Sequence, residues 1–229
     1  MEQLHSDLGE LLQKLLTMAS LAEVSVNQAV RALIDRDYDL AMLVHNSDHL
    51  IDRLEMEIDD ASIHLLAKAP LARDLRFVMV AMKISHNLER VGDEATKIAK
   101  RARELCQEPP VKIQLDFPRL TSLALESLKS ALDAFVHRDS AAARAIIPRD
   151  RQIDALNREI NELLADFMVA HPEAVHRCLN LTVISKSLER IADHAKNMAE
   201  DVVYLCEAQD IRHSRIPPPS GAPDPLTAG

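Results

Sequence analysis

The segment ISHNLERVGDEATKIAK at 84–100 returns as ISKSLERIADHAKNMAE at 184–200, an offset of 100 residues held without a gap. Eight of the seventeen positions are identical, among them Glu89 and Asp93, which recur as Glu189 and Asp193. Such a recurrence predicts two copies of one architectural unit. In each copy two carboxylates lie four residues apart, on one face of a helix. Like charges at that spacing repel by roughly a few tenths of a kcal/mol, so keeping them in both copies asks for a compensating partner.

At about 100° per residue, Ile184, Leu188, Ile191, Ala195, Met198 and Leu205 share one apolar seam, as do Ile84, Leu88, Val91, Ala95 and Ile98 in the first copy. Glu189 and Asp193, like Glu89 and Asp93, fall nearly opposite. The acids are therefore expected outside the core, on a face turned away from it. The repeat also extends upstream. Asp48, Ile51, Asp52, Leu54, Glu57 and Ile58 answer to Asp150, Ile153, Asp154, Leu156, Glu159 and Ile160 at an offset of 102, and Arg36-Asp37 answers to Arg138-Asp139.

Prolines and turn pairs divide the chain into six expected helices at 4–35, 38–68, 72–106, 117–137, 140–170 and 173–209. Their breaks fall at Arg36-Asp37, Pro70, Pro109-Pro110, Arg138-Asp139 and His171-Pro172. Pro148 falls inside the fifth helix and predicts a kink or a late start there. No stretch alternates with period two, so no strand is expected. The reading is an all-α fold of two tandem three-helix bundles related by an internal pseudo-symmetric repeat, 1–108 and 109–210. A proline-rich tail, 211–229, lacks a packable face and is expected to be flexible.

Composition narrows the function. The chain of 229 residues is 47% hydrophobic but holds only four Phe, two Tyr and no Trp, so its core is aliphatic, as in helical bundles. A net charge of −9 with no basic face argues against nucleic-acid binding. No apolar stretch has the length of a membrane span, and the acidic start MEQLHSDLGELL does not resemble a signal peptide, which predicts a cytoplasmic protein without membrane insertion. Cys106, Cys178 and Cys206 are odd in number and read as reduced core residues. Glycine-rich phosphate loops, Cys-x-x-Cys pairs and nucleophile elbows are missing from the sequence.

The second helix adds an acidic row, Asp48, Asp52, Glu55 and Asp59, which the fifth answers with Asp150, Asp154, Asn157 and Asn161. A solvated helix face is the plain explanation. Yet acids on adjacent turns raise one another's pKa and cost stability unless a cation resides among them. Oxygen ligands from neighbouring helices suit hard or borderline metals, one site per copy: Asp48, Asp52, Glu89 and Asp93 in the first, and Asp150, Asp154, Glu189 and Asp193 in the second. His194 is a further candidate ligand. Lys97, four residues from Asp93, is placed to pair with it, so firmer binding is expected in the second copy. A phosphate sensor built on Arg73 and Arg76 is a rival, although Arg76 has the second helix's acids to pair with. A metal-dependent hydrolase or oxidase using the same carboxylates is the enzyme alternative.

The stretch PLARDLRFVMVAMKISHNLERVGDEATKIAK (70–100), together with SKSLERIADHAKNMAE (185–200) and Asp48-x-x-Ile51-Asp52-x-Leu54, resembles the PhoU family over roughly residues 5–210. The resemblance implies two three-helix bundles and a non-enzymatic, cytoplasmic negative regulator that links a phosphate ABC transporter to a sensor histidine kinase and restrains phosphate-starvation signalling. It also implies homodimers. Metal clusters bound by the family's E(D)-x-x-x-D motifs, with iron or zinc as the ions, would fall on Glu89-x-x-x-Asp93 and Glu189-x-x-x-Asp193. Glu94 and Lys97 depart from the family's Asp-His-Ala-x-Asn pattern.

Overall fold

A computed structural model describes residues 2–68 and 71–212. The expected break at Pro70 and the tail from residue 213 onward lie outside the described residues. Among the described residues every regular element is helical. The first repeat comprises α1 (Glu2–Asp35), α2 (Tyr38–Ser47), α3 (His49–Leu66) and α4 (Ala72–Cys106); the second comprises α5 (Phe117–His137), α6 (Ser140–Ile146), α7 (Asp150–Ala170) and α8 (Val175–Glu207).

Local chemistry at the joints is repeated along with the helices. Asp37 and Asp139 cap α2 and α6, their carboxylates accepting from the N–H groups of Leu40 and Ala142 at 2.9 Å. The preceding residues, Arg36 and Arg138, adopt φ of 55° and 52°, in the left-handed region that costs a non-glycine residue about 1 kcal/mol. Each arginine gains contacts there. Arg36 donates to the Leu105 carbonyl (2.7 Å) and caps the end of α4, whereas the Arg138 guanidinium lies 5.1 Å from the Phe77 ring centre.

Two expected helices are each broken in the same place. In the second repeat Pro148 replaces regular helix by a tight turn, Ile147–Arg149, because proline lacks an N–H and crowds the carbonyl four residues back. The first repeat has no proline there, yet α2 gives way to α3 at Asp48. Ser47 Oγ donates to the Val44 carbonyl (3.1 Å), His49 Nδ1 engages the Asn46 carbonyl (2.8 Å), and the Ile51 N–H turns in to the Asp48 carbonyl (2.9 Å). Side chains take over backbone partners, and the helix tightens. The break leaves Asp48 and Asp150 at the starts of α3 and α7. The sixth expected helix also begins later, after a tight turn at Pro172–Ala174.

Helices α4 and α8 run antiparallel through the centre. Lys83 meets Asp201 at 2.8 Å, His194 meets Asn87 at 3.0 Å, and Arg190 meets Glu94 at 3.5 Å. Residue numbers rise on one helix as they fall on the other. One continuous apolar cluster runs through both repeats, with Leu88, Val91, Ile98, Leu188, Ile191 and Met198 fully buried. Phe77 stacks on Phe135 across the repeats, ring centres 5.3 Å apart. Three side chains depart from expectation. Cys206 is exposed and Cys106 half-buried, leaving Cys178 as the one free thiol in the core among the described residues. Ile211 packs on the core although it was grouped with the tail.

Gly92 marks where α3 comes close to α4, since a β-carbon there would stand 2.9 Å from Ile51 Cδ1. The equivalent residue in the second repeat is Ala192, which is buried. Gly92→Ala should thus be close to neutral, with a helix-propensity gain of roughly 1 kcal/mol offsetting a small shift of the Ile51 methyl. Gly92→Leu should cost about 1–3 kcal/mol by overpacking. Urea unfolding of both variants checks this, and equal stability of the two would contradict the close approach.

Candidate functional site

In the first repeat the carboxylates converge between α3 and α4. Asp48, released by the helix break, faces Thr96 and lies near Asp52 and Asp93. Burial pushes its carboxyl above the ordinary range, and Asp52 and Asp93 add to this, against a hydrogen bond from Thr96. Glu89 is raised in the same direction, first by burial, then by Asp93 and Glu55. Arg90 bridges the pair, its Nη1 3.0 Å from Asp93 Oδ2 and its Nε 3.2 Å from Glu89 Oε2. The second contact is too poorly aligned for a hydrogen bond, and Glu89 Oε2 stays buried and unsatisfied.

One turn further along, Glu55, His86 and Glu89 each offer a ligand atom, all within 4.8 Å of one another. His86 Nδ1 is 3.2 Å from Glu55 Oε1. Two carboxylates and an imidazole suit a borderline divalent ion better than oxygens alone. His86 is absent from the sequence-derived ligand set. It stands three residues before Glu89 inside the repeated segment, and this His-x-x-Glu spacing was the available signal. Comparison of the two copies hid it, because its partner at 186 is lysine.

The second repeat builds the same frame with different charges. Lys196, at the place of Thr96, reaches Asp150 Oδ2 at 2.5 Å, and Lys186, at the place of His86, reaches Glu189 Oε1 at 2.6 Å. Asn157 stands where Glu55 does and accepts from Ser185 Oγ at 2.6 Å. Asp193 lies between the two acids, its carboxyl pushed up to about 6 by burial, then by Glu189 and Asp150, against the two lysines. Asp154 is half-buried, one turn past Asp150, and is not among the charges that most perturb Asp193. This cluster therefore carries its own counter-charges. Lys186 and Lys196 already hold two of its acids, so the charges of this cluster do not favour a firmer cation site in the second copy than in the first.

Nor do the acids form one solvated face, although Asp52 is exposed. Glu189 is 8% exposed and Asp193 half-buried, because α8 is covered by α7 on the side opposite its core seam. A single-seam wheel has no place for a second packing surface. Lys97 pairs with Glu94 at 2.8 Å instead of Asp93. Glu94 is 4% exposed and also meets Arg190, so these departures belong to the contact between repeats. His194 points there too, toward Asn87; burial lowers its imidazole below the ordinary range, against the pull of Glu94. One residue past Asp193 on a helix, it sits about 100° away and shares no face with it. Arg73 lies 3.4 Å from neighbouring Asp74, whereas Arg76 Nε is buried without a partner and makes no ion pair among the described residues. The two do not converge on an anion, and the α3 acids do not receive Arg76.

A family profile described as the PhoU domain matches residues 15–102 and again 117–202. The chain is similar to the phosphate-specific transport system accessory protein PhoU homolog of Pseudomonas aeruginosa, 37% identical over 93% of this chain and 88% of that one. It is likewise similar to the homolog of that name from Aquifex aeolicus, 33% identical over 93% and 97%. The crystal structure of PhoU from Pseudomonas aeruginosa superposes with a TM-score of 0.86 over 90% of this chain and 99% of the other, at 37% identity. That of the phosphate transport system regulatory protein PhoU from Streptococcus pneumoniae gives 0.81 over 90% and 98%, at 30% identity.

Asp193 makes a measurable contribution to pH dependence. Its carboxyl binds a proton more readily in the folded chain (about 6) than at its ordinary 3.8. The folded state therefore holds more protons between these values, and the contribution of Asp193 to stability falls as pH rises from about 4 to about 6. In metal-free protein, Asp193→Asn should remove that component, making the urea midpoint fall less over this window than in the parent. Parallel profiles would show that Asp193 is not held in a desolvated, like-charged setting.

Proposed function

The chain belongs to the PhoU family, and on that premise we propose that it is a cytoplasmic regulator of phosphate uptake that couples a phosphate ABC transporter to a sensor histidine kinase and restrains starvation signalling when phosphate is plentiful. The observation that carries this reading is the double match of the family domain, which takes in both repeats and nearly all of α4 and α8. The relatives are named as accessory and regulatory proteins of phosphate transport, and the protein is a regulator without catalysis. The hydrolase or oxidase alternative is not favoured. Among the described residues no helix is long and apolar enough to cross a membrane, which agrees with action at a transporter's surface. The exposed apolar residues Leu75 and Met79 on α4, matched by Val175 and Leu179 on α8, support a homodimer or a docked partner.

A deletion strain should express phosphate-starvation genes in phosphate-rich medium, and the intact gene should restore repression. Unchanged expression in a strain without a second copy would contradict the regulatory role.

We further propose that the first repeat holds a metal ion, iron or zinc, on Glu55, His86 and Glu89, with Asp48, Asp52 and Asp93 completing its acidic surroundings. Support comes from the raised carboxyls, the unsatisfied Glu89 oxygen and the converging ligand atoms. A bound cation would offset the repulsion that Arg90 balances only in part. In the second repeat Lys186 and Lys196 supply that charge to Asp150, Glu189 and Asp193, while Asp154 lies apart from them. Elemental analysis of untagged protein should therefore show metal lost in His86→Gln/Glu89→Gln and kept in Glu189→Gln/Asp193→Asn. The reverse pattern would move the site to the second repeat.

A further inference from the structure

Residues 109–116 lead from α4 into α5 without regular structure. Val111, Ile113 and Leu115 are partly buried, whereas Lys112 and Gln114 between them are exposed, so the segment keeps its apolar side chains toward the protein. Both repeats pin its start. Arg36 Nη2 donates to the Glu108 carbonyl, and Arg177 Nη1 donates to the Pro109 carbonyl at 2.9 Å. The Glu108 carboxylate lies 3.3 Å from His176 Nδ1 and 3.7 Å from Arg177 Nε.

The segment borders an open hollow of about 320 Å³. Leu105, Phe117 and Leu181, each less than a tenth exposed, line it from the core, and Val111, Ile113 and Leu115 line it from the segment. Ile34, also in the lining, is 53% exposed and has room for an apolar neighbour. Among the described residues Arg36 is the one charged side chain that borders the hollow. Its bonds to the carbonyls of Leu105, Cys106 and Glu108 all use Nη2, so Nη1 and Nε have no partner among the described residues. Asp37, next to it, is engaged by the Leu40 N–H.

The lining selects its occupant by size and charge. A helix, about 10–12 Å across with its side chains, is too wide for such a volume. At roughly 30 Å³ per methylene, the share of one water molecule in the liquid, about ten carbons fill it. The apolar walls favour a hydrocarbon chain, and the open guanidinium nitrogens favour a negative head. We propose that the hollow binds a free medium-chain carboxylate, its chain between Ile34 and Ile113 and its head on Arg36. Arg36 and Ile34 belong to the first repeat and Leu181 to the second, so an occupied hollow ties the repeats together at this end. Neither phosphate nor a metal ion takes part, and the site stands or falls independently of the regulatory and cation readings.

Calorimetric titration of the metal-free, full-length chain with decanoate, below the concentration at which it forms micelles, should show one saturable site. Decyltrimethylammonium, with the same chain and the opposite charge, should bind about tenfold more weakly, as the loss of one charged hydrogen bond predicts. Arg36→Gln should erase that preference, and Ile113→Trp, which places an indole in the hollow, should abolish the decanoate site. No saturable binding, equal binding of the two amphiphiles, or undiminished decanoate binding by Ile113→Trp would overturn the site. Should either variant lose its helical circular dichroism, the comparison of the two head groups on the unaltered chain decides alone. Sedimentation with phosphatidylglycerol vesicles in place of binding to free decanoate would also overturn it, in favour of a membrane surface.

Discussion

The antiparallel contact of α4 with α8 is the constraint on which the rest of the molecule depends. Small residues, Ala95, Ala99, Ala192 and Ala199, are buried along these helices and allow close packing. Charged pairs then set the register: Glu94 with Arg190 and Lys83 with Asp201, each with one partner buried. Removing a carboxylate from water costs several kcal/mol, and the pair returns that only when its geometry is right, so such pairs select an alignment more than they add stability. With the two helices held, α1 and α3 pack against α4, while α5 and α7 pack against α8. The acids land at the α3–α4 and α7–α8 seams.

Pseudo-symmetry delivers the frame twice, and substitution has let the copies diverge electrostatically. Asp48, Glu89 and Asp93 have the same helical addresses as Asp150, Glu189 and Asp193. What differs is the company they keep: threonine, imidazole and carboxylate in one repeat, two ammonium groups and an amide in the other. In one cluster two lysines pair with Asp150 and Glu189, although Asp193 between them stays raised. The other has no lysine beside Asp48 and Glu89, whose carboxyls are raised by burial and by neighbouring carboxylates.

The paired helix breaks show one geometry reached by two chemistries. Pro148 forbids a backbone hydrogen bond outright, whereas around Asp48 the side chains of Ser47 and His49 compete for backbone carbonyls until the helix yields. Both outcomes turn an aspartate toward the neighbouring long helix. Gly92, which lets Ile51 and Asp48 approach α4, belongs to the same arrangement.

Much of this was legible in the linear sequence, because helical period, capping residues and an internal repeat are local or self-comparing signals. The all-α class, the two copies, the ends of α4 and α5 and the placing of Glu89 and Asp93 on one face all follow from residue spacing. The break at Asp48 did not, since it arises from hydrogen bonds that only the folded local geometry reveals. Nor did the burial of Glu189 and Glu94, because a helix wheel knows one core, while α4 and α8 are each packed on more than one side. The balance between the two acidic clusters was hidden for a related reason: Lys186, Lys196 and His86 lie at repeat positions whose partners differ, so the identities of the repeat do not mark them. Sequence spacing decides which side chains share a helix face. Only packing decides which faces meet, which charges lose their water, and which cation stands beside each acid.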